Sequence, residues 1–154
     1  MDASTGAPAR PAEPRRLSPD ECRALIARNY LAVVATVGNG EPYAIPLIYG
    51  FEDDRLYFVT GDGRKTRNIE AQPLVCITIV EAEQHAKKWQ SVIGFGEVTW
   101  LEEEDAVNHA LAVMKRQYPA PSERSSGGAA ALARAGFRMG QVTLREISGR
   151  AQGY

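Results

Sequence analysis

The chain has 154 residues, of which 44% are hydrophobic and 24% charged, and a formal net charge of −1 at pH 7. That length predicts one domain with room for a real core, and the near-neutral balance argues against non-specific binding to nucleic acid or an anionic membrane. No apolar run approaches the roughly 20 residues of a membrane-spanning helix, "MDASTGAPARPAEPRR" lacks the apolar centre of a signal peptide, and Cys22 and Cys76 are too few for a disulfide framework or zinc site, so a cytoplasmic enzyme or binding protein is expected.

Residues 1–16, rich in Ala, Pro and charge, read as a disordered tail, leaving 17–154 as a single domain. "SPDECRALIARN" opens a helix: Ser18 caps it, Pro19 suits its first position and Glu21 completes a capping box, with Cys22, Leu25 and Ile26 facing the core. A β meander follows. "YLAVVATV" (30–37) is a β-branched run ended by the turn signal "GNGEP". "YAIPLIYGF" (43–51) is the second strand and turns through "EDD" into "RLYFVT" (55–60). A short helix over 64–72 precedes the strand "LVCITIV" (74–80), and the polar "EAEQHAKK" leads to a longer strand, "WQSVIGFGEVTWL" (89–101).

Residues 102–118 carry Val107, Ala110, Leu111, Met114 and Tyr118 at helical spacing, with acids at the front and Lys115 and Arg116 at the back, as the macrodipole prefers. "PAPSERSSGGAA" (119–130) breaks this helix and reads as mobile, and a weak helical patch lies near 129–136. "RMGQVTLREIS" is the last strand, with Val142, Leu144 and Ile147 as its expected buried residues. Five or six mostly adjacent strands on short turns predict a mainly β fold, an antiparallel sheet curled into a small barrel with two or three flanking helices.

The common catalytic constellations are missing: there is no Gly-x-Ser-x-Gly elbow and no His-Glu-x-x-His helix. His109 falls on the polar side of its helix and His85 in a polar connection, so both read as solvated. The acids at 102–105 are explained by the helix start, without a metal. Gly94 and Gly96 share one strand face with Val92 and Val98, and Pro46 interrupts the second strand. Such residues mark either a barrel corner or bulge or the close approach of a ligand.

"FVTGDGRKTRNIEAQP" (58–73) ends a strand at Thr60, turns through glycines and opens a helix with Arg64 and Lys65. Cations are unexpected at the positive end of a helix. Free backbone N–H groups, a hydroxyl and two cations converging on one point are how a phosphate is held. The other reading is a solvated basic patch.

The order of the first helix, "LAVVATVGNGEPYAIPLIYGFEDDRLYFVTGDGRKTRNIEAQPLVCITI" and "SVIGFGEV" resembles the pyridoxamine 5′-phosphate oxidase-like superfamily of FMN-binding split β-barrels. The resemblance covers roughly residues 18–118 and the closing "VTLREISGRA"; "SVIGFGEVTWLEEEDAVNHALAVMKRQY" looks most like the nitroimidazole-resistance (nitroreductase-like) branch. It implies a six-stranded antiparallel split barrel and a homodimer with two FMN molecules at the subunit interface. It also implies that Thr60, Arg64 and Lys65 bind the flavin phosphate, and that Pro46, Leu47, Ile48, Phe58 and Val59 line the isoalloxazine and ribityl chain. Trp89, Gln90 and Ser91 match the strand that approaches the flavin from the other subunit.

Two departures qualify that picture. The chain ends "REISGRAQGY", without the Trp- and Arg-rich segment that holds substrate in true pyridoxamine-phosphate oxidases, which argues against vitamin B6 oxidation. Val59 or a close neighbour stands where nitroimidazole-resistance proteins often carry a histidine. The expected function is an FMN-dependent oxidoreductase of flavin reductase or nitroreductase type. It would act on a small planar acceptor, with a nicotinamide nucleotide as donor and the flavin carrying the redox step. The resemblance also allows deazaflavin or haem as cofactor, the latter needing an axial ligand, or a non-catalytic flavin carrier or sensor. Trp89, Tyr49 and the 119–130 segment are expected to set the space over the flavin.

Overall fold

In the computed structural model, which describes residue 6 and residues 13–118 and 127–154, twelve elements follow one another. They are β1 (Arg15–Arg16), α1 (Pro19–Arg28), β2 (Leu31–Gly38), β3 (Glu41–Ile48), β4 (Gly50–Glu52) and β5 (Arg55–Thr60). Then come α2 (Arg64–Ala71), β6 (Leu74–Glu83), β7 (Lys88–Leu101), α3 (Glu104–Gln117), α4 (Gly128–Arg134) and β8 (Arg138–Gln152). No helix among the described residues is long and apolar enough to cross a membrane.

The strands pair antiparallel in the order β3-β2-β6-β7-β8-β5-β4, with β1 added beside β8. Only Tyr49 separates β3 from β4, so one run of chain pairs with β2 at one end and β5 at the other. That bend closes the expected six-stranded barrel and splits the strand predicted over 43–51. The tight hairpins come from Asn39-Gly40 and Asp53-Asp54, all at positive φ, which suits the twist of paired strands.

Inside the barrel, Val34, Leu56, Phe58, Ile77, Ile79, Val92, Val98, Val142 and Leu144 form one core, closed at one end by Cys22, Leu25 and Ile26 of α1. A second cluster lies under α3 and α4, where Val107, Ala110, Leu111, Val113 and Leu132 cover Tyr57 and Met139.

Gly94 and Gly96 belong to this interior. A Cβ on Gly96 would stand 2.3 Å from the Thr143 carbonyl oxygen, so the backbones of β7 and β8 approach there as only glycine allows. The ladder slips beside it, pairing Gly96 with Leu144 but Phe95 with Glu146 and leaving Arg145 as a bulge. The bulge shifts the inward phase of β8 from Val142 and Leu144 to Ile147 and Ala151. The bend and bulge account for these glycines without a ligand.

The tail expectation needs one correction. Arg15 and Arg16 pair with Ala151 and Arg150, because β8 runs on past the predicted strand end to Gln152 and offers a free edge. Residues 1–5 and 7–12 lie outside the described residues, as do 119–126 of the segment read as mobile; Gly128–Ala130 already belong to α4.

Candidate functional site

Helix α2 starts after Gly63 with no side-chain cap and no acidic residue in its first turn. The helix is nonetheless firmly seated. Asn68 donates Nδ2–H to Thr36 Oγ1 at 3.0 Å and lies flat over Gly38, where a Cβ would stand 1.9 Å from Asn68 Oδ1. The open N-terminus is therefore held in a fixed place at the end of β5.

Around it, Thr66 Oγ1 donates to the Gly61 carbonyl at 2.7 Å and lies 3.4 Å from Thr60 Oγ1, and both threonines are buried. Lys65 is half-buried, its Nζ 5.7 Å from the centre of the Phe58 ring, and among the described residues it has no carboxylate partner. Burial pushes its pKa down from 10.5, since no anion opposes the loss of hydration. Arg64 is placed differently. Its Nη2 lies 3.0 Å from Glu41 Oε2 and its guanidinium stacks 4.5 Å above Tyr43, across the β2–β3 hairpin.

Thr60 ends β5, and Arg64 and Lys65 open α2 just beyond the 61–63 turn, but the two cations diverge, Arg64 towards Glu41 and Tyr43 and Lys65 towards the Phe58 ring. The remaining residues divide. Phe58 and Leu47 point into the barrel core, whereas Val59 packs against the cluster under α3 and α4. Pro46 and Ile48 lie on the outer face of β3 beside Val33 and Leu31. Trp89, Gln90 and Ser91 sit at the opposite end of the barrel. Thr60 pairs with Arg138, next to the Met139–Leu101 pair, so the whole of β7 separates the two groups. Twelve steps along that strand amount to roughly 40 Å of chain path. Trp89 Nε1 donates to Gln152 Oε1 at 3.1 Å, and buried Gln90 reaches Glu81 at 3.5 Å.

Other expectations resolve plainly. Tyr49 does not face the site: it is fully buried and its hydroxyl donates to the Ile26 carbonyl at 2.6 Å. It fills the bend between β3 and β4 and cannot set the space over a flavin. His85 is exposed in the β6–β7 turn, and His109 Nε2 lies 2.7 Å from Glu52 Oε2 on the surface. Among the described residues no three His, Cys, Asp or Glu side chains are grouped to hold a metal.

Sequence reading missed the outer face of the sheet. Leu31, Val33, Val37, Ile48, Val80, Ile93 and Phe95 project from β2, β3, β6 and β7 with relative exposures of 38–57%. They align across strands, as in the row Pro46–Val33–Thr78–Ile93. The signal was present: "LAVVATV" is apolar at both parities, the pattern of a strand covered on both faces. Thr66, six residues after Thr60, was also overlooked.

An antiparallel split barrel with a fixed, uncapped, cation-bearing helix start beside it defines the class. Residues 18–151 match the family model described as pyridoxamine 5′-phosphate oxidase, and the chain belongs to that family. It is similar to an FAD-binding protein of Mesorhizobium loti, at 25% identity and a TM-score of 0.73, over 92% of this chain and 99% of that one. A Bacteroides thetaiotaomicron protein proposed to confer 5-nitroimidazole antibiotic resistance shares the fold, with a TM-score of 0.75 at 21% identity over 91% and 89% of the two chains. Among curated proteins, an uncharacterized protein of Rhizobium meliloti (strain 1021) is 28% identical over 95 residues, 62% of this chain and 62% of that relative's length.

Proposed function

We propose that the protein is an FMN-dependent oxidoreductase that works as a homodimer with a flavin at each side of the subunit interface. One observation carries the reading: the half-buried, carboxylate-free Lys65 beside an uncapped helix start. An anion there supplies the acceptor for the α2 amides and the charge partner for the ammonium. The Thr60 hydroxyl can turn to the anion from the Gly61 carbonyl, to which it donates at 3.2 Å and to which Thr66 still donates. Arg64 completes the grip by leaving Glu41, a weak attachment because that carboxylate is largely exposed.

The uncovered outer face of β2, β3, β6 and β7 supports the dimer. A contiguous patch of large apolar side chains on a sheet is the usual mark of a protein interface. A second copy over it would bring the partner's Trp89, Gln90 and Ser91 against the Lys65 end, joining two groups that one chain keeps apart. Pro46 and Ile48 on that face, with the β3 and β5 backbones around Leu47, Phe58 and Val59, would wall the planar ring.

Bound FMN would supply electron transfer from a nicotinamide nucleotide to a small planar acceptor. The chain's own part is to hold the phosphate, orient the ring and exclude water. Haem fits poorly: His85 stands alone in an exposed turn and His109 is held by Glu52. The phosphate grip suits a deazaflavin equally, and a non-catalytic flavin carrier would use the same contacts.

The test is to purify the protein, denature it and identify the released cofactor by mass spectrometry, then assay reduced nicotinamide nucleotide oxidation with an added acceptor. Released FMN with turnover is expected. A colourless protein that also ignores added FMN would overturn the proposal; deazaflavin in the supernatant would change the cofactor, and flavin without turnover would leave a carrier.

A further inference from the structure

Arg16 and Arg150 face each other directly across the β1–β8 ladder. Side chains so paired project from one face with Cβ atoms roughly 5 Å apart, and like charges there are destabilising. Neither arginine has a carboxylate partner among the described residues, although Arg15, Arg23, Arg28, Arg64, Arg138 and Arg145 each reach one. A ladder of only two residue pairs thus carries an uncompensated pair of cations.

The surroundings give the pair a use. Arg150 is opposite Ser91 of β7, which is opposite Val80 of β6, so one row reads Arg16–Arg150–Ser91–Val80. The next row on that face is Ser148–Ile93–Thr78, within the exposed apolar surface. Trp89 lies two residues from Ser91 on the same face of β7 and is only partly buried. Two arginines, a serine and a tryptophan therefore occupy neighbouring ladder positions at the corner of the face assigned above to the dimer.

We infer that this corner is a subsite for the diphosphate of a nucleotide, which each protomer contributes to the flavin site of its partner. The inference rests on the homodimer reading. Paired guanidinium forks match the oxygens of a diphosphate, the serine hydroxyl adds a donor, and the indole offers a face for a base. An anion between the arginines offsets their repulsion, which nothing else in the described chain does. The flavin's first phosphate is already provided for at Lys65, so this second anion is either the outer phosphate of a dinucleotide flavin or the diphosphate of a nicotinamide dinucleotide donor.

ADP is the probe, titrated by calorimetry into the full chain and into an Arg16→Gln/Arg150→Gln double variant. Both positions are exposed, and the double variant is expected to melt at or above the parent temperature. ADP affinity should fall at least tenfold in the variant while FMN affinity stays within twofold, with Arg150→Lys in between because it keeps the charge and loses the fork. FAD affinity falling with it would identify the outer half of a dinucleotide flavin; a raised KM for NADH on FMN-loaded protein would identify the donor. Equal ADP affinity in parent and variant, or no ADP binding by the parent, would each overturn the subsite. A parent that binds ADP through these arginines but never binds FMN would overturn the proposed function and leave the arginine corner standing.

Discussion

Helices α1 and α2 differ by two residues in length and sit on the same barrel, yet their starts are finished in opposite ways. At the start of α1, Ser18 Oγ accepts the Glu21 amide at 3.1 Å while Glu21 Oε2 accepts the Ser18 amide at 2.8 Å. At its end, Asn29 Nδ2 donates to the Leu25 carbonyl, the Tyr49 hydroxyl to Ile26, and Gln117 Nε2 to both Ile26 and Asn29. Every helix leaves such groups wanting partners. The start of α1 has them supplied by side chains; α3 also starts without a side-chain cap, but with Glu104 and Asp105 in its first turn, whereas α2 has neither cap nor acid there and opens with cations. On the proposed function, the difference separates a structural end from one that takes an anion.

The largest expected effect comes from unmaking the structural end. Gln117 also accepts the Phe51 amide at 2.7 Å, so one side chain ties α3 to α1 and to β4. Gln117→Ala should cost about 3 kcal/mol, taking roughly 1 for each of three hydrogen bonds, and lower Tm by several degrees. Urea melts measure this, and FMN affinity should not move. A variant of parental stability with impaired flavin binding would reverse the two roles.

The two ends were also unequally legible. The α1 cap was readable because its partners are three residues apart; the α1 terminus was not, because its donors come from positions 49 and 117. Thr60, Arg64 and Lys65 form a local motif, readable as a strand end followed by a helix start that opens with cations. The hold of Glu41 and Tyr43 on Arg64 crosses a hairpin, and nothing in the local sequence announces it. The β8 bulge was invisible for a similar reason. It depends on the Gly96 backbone meeting Thr143, although Ile147 was correctly placed on the inner side. The outer apolar face was written in "LAVVATV", but a strand apolar on both faces reads the same whether its second face is covered within the chain or, as here, exposed.

Lys65 gives the next effect. Lys65→Met should weaken FMN binding by about 2 kcal/mol, within the range for a charge-assisted hydrogen bond, roughly thirtyfold, and leave the ligand-free fold as stable as the parent or more so. Burial lowers the pKa of Lys65 below its ordinary 10.5, so the unfolded chain binds that proton more tightly than the free folded one. Between the lowered value and 10.5 the ligand-free protein should therefore gain stability as pH rises. A bound phosphate reverses the preference and holds the proton, so FMN affinity should fall through the same window. Calorimetry in buffers of different ionisation enthalpy measures the proton uptake. An unchanged alkaline slope in Lys65→Met would remove this lysine from the site.

The smallest change cuts deepest into the comparison, because it gives α2 the kind of cap that α1 has. Gly63 has extended backbone that any residue adopts, and a Cβ there would meet nothing within 4 Å. In Gly63→Asp the new carboxylate accepts a first-turn amide and sits at the positive end of the helix. Replacing glycine as the cap and adding the charge should stabilise the ligand-free protein by about 0.5 kcal/mol. The same carboxylate occupies the amides that a phosphate needs and repels it, so FMN affinity should fall about tenfold, roughly 1.4 kcal/mol. Stability and binding then move in opposite directions, as they must if the helix start is kept open for an anion. A variant that gains stability and binds FMN as tightly as its parent would mean that the phosphate sits elsewhere, and that α2 merely lacks a cap.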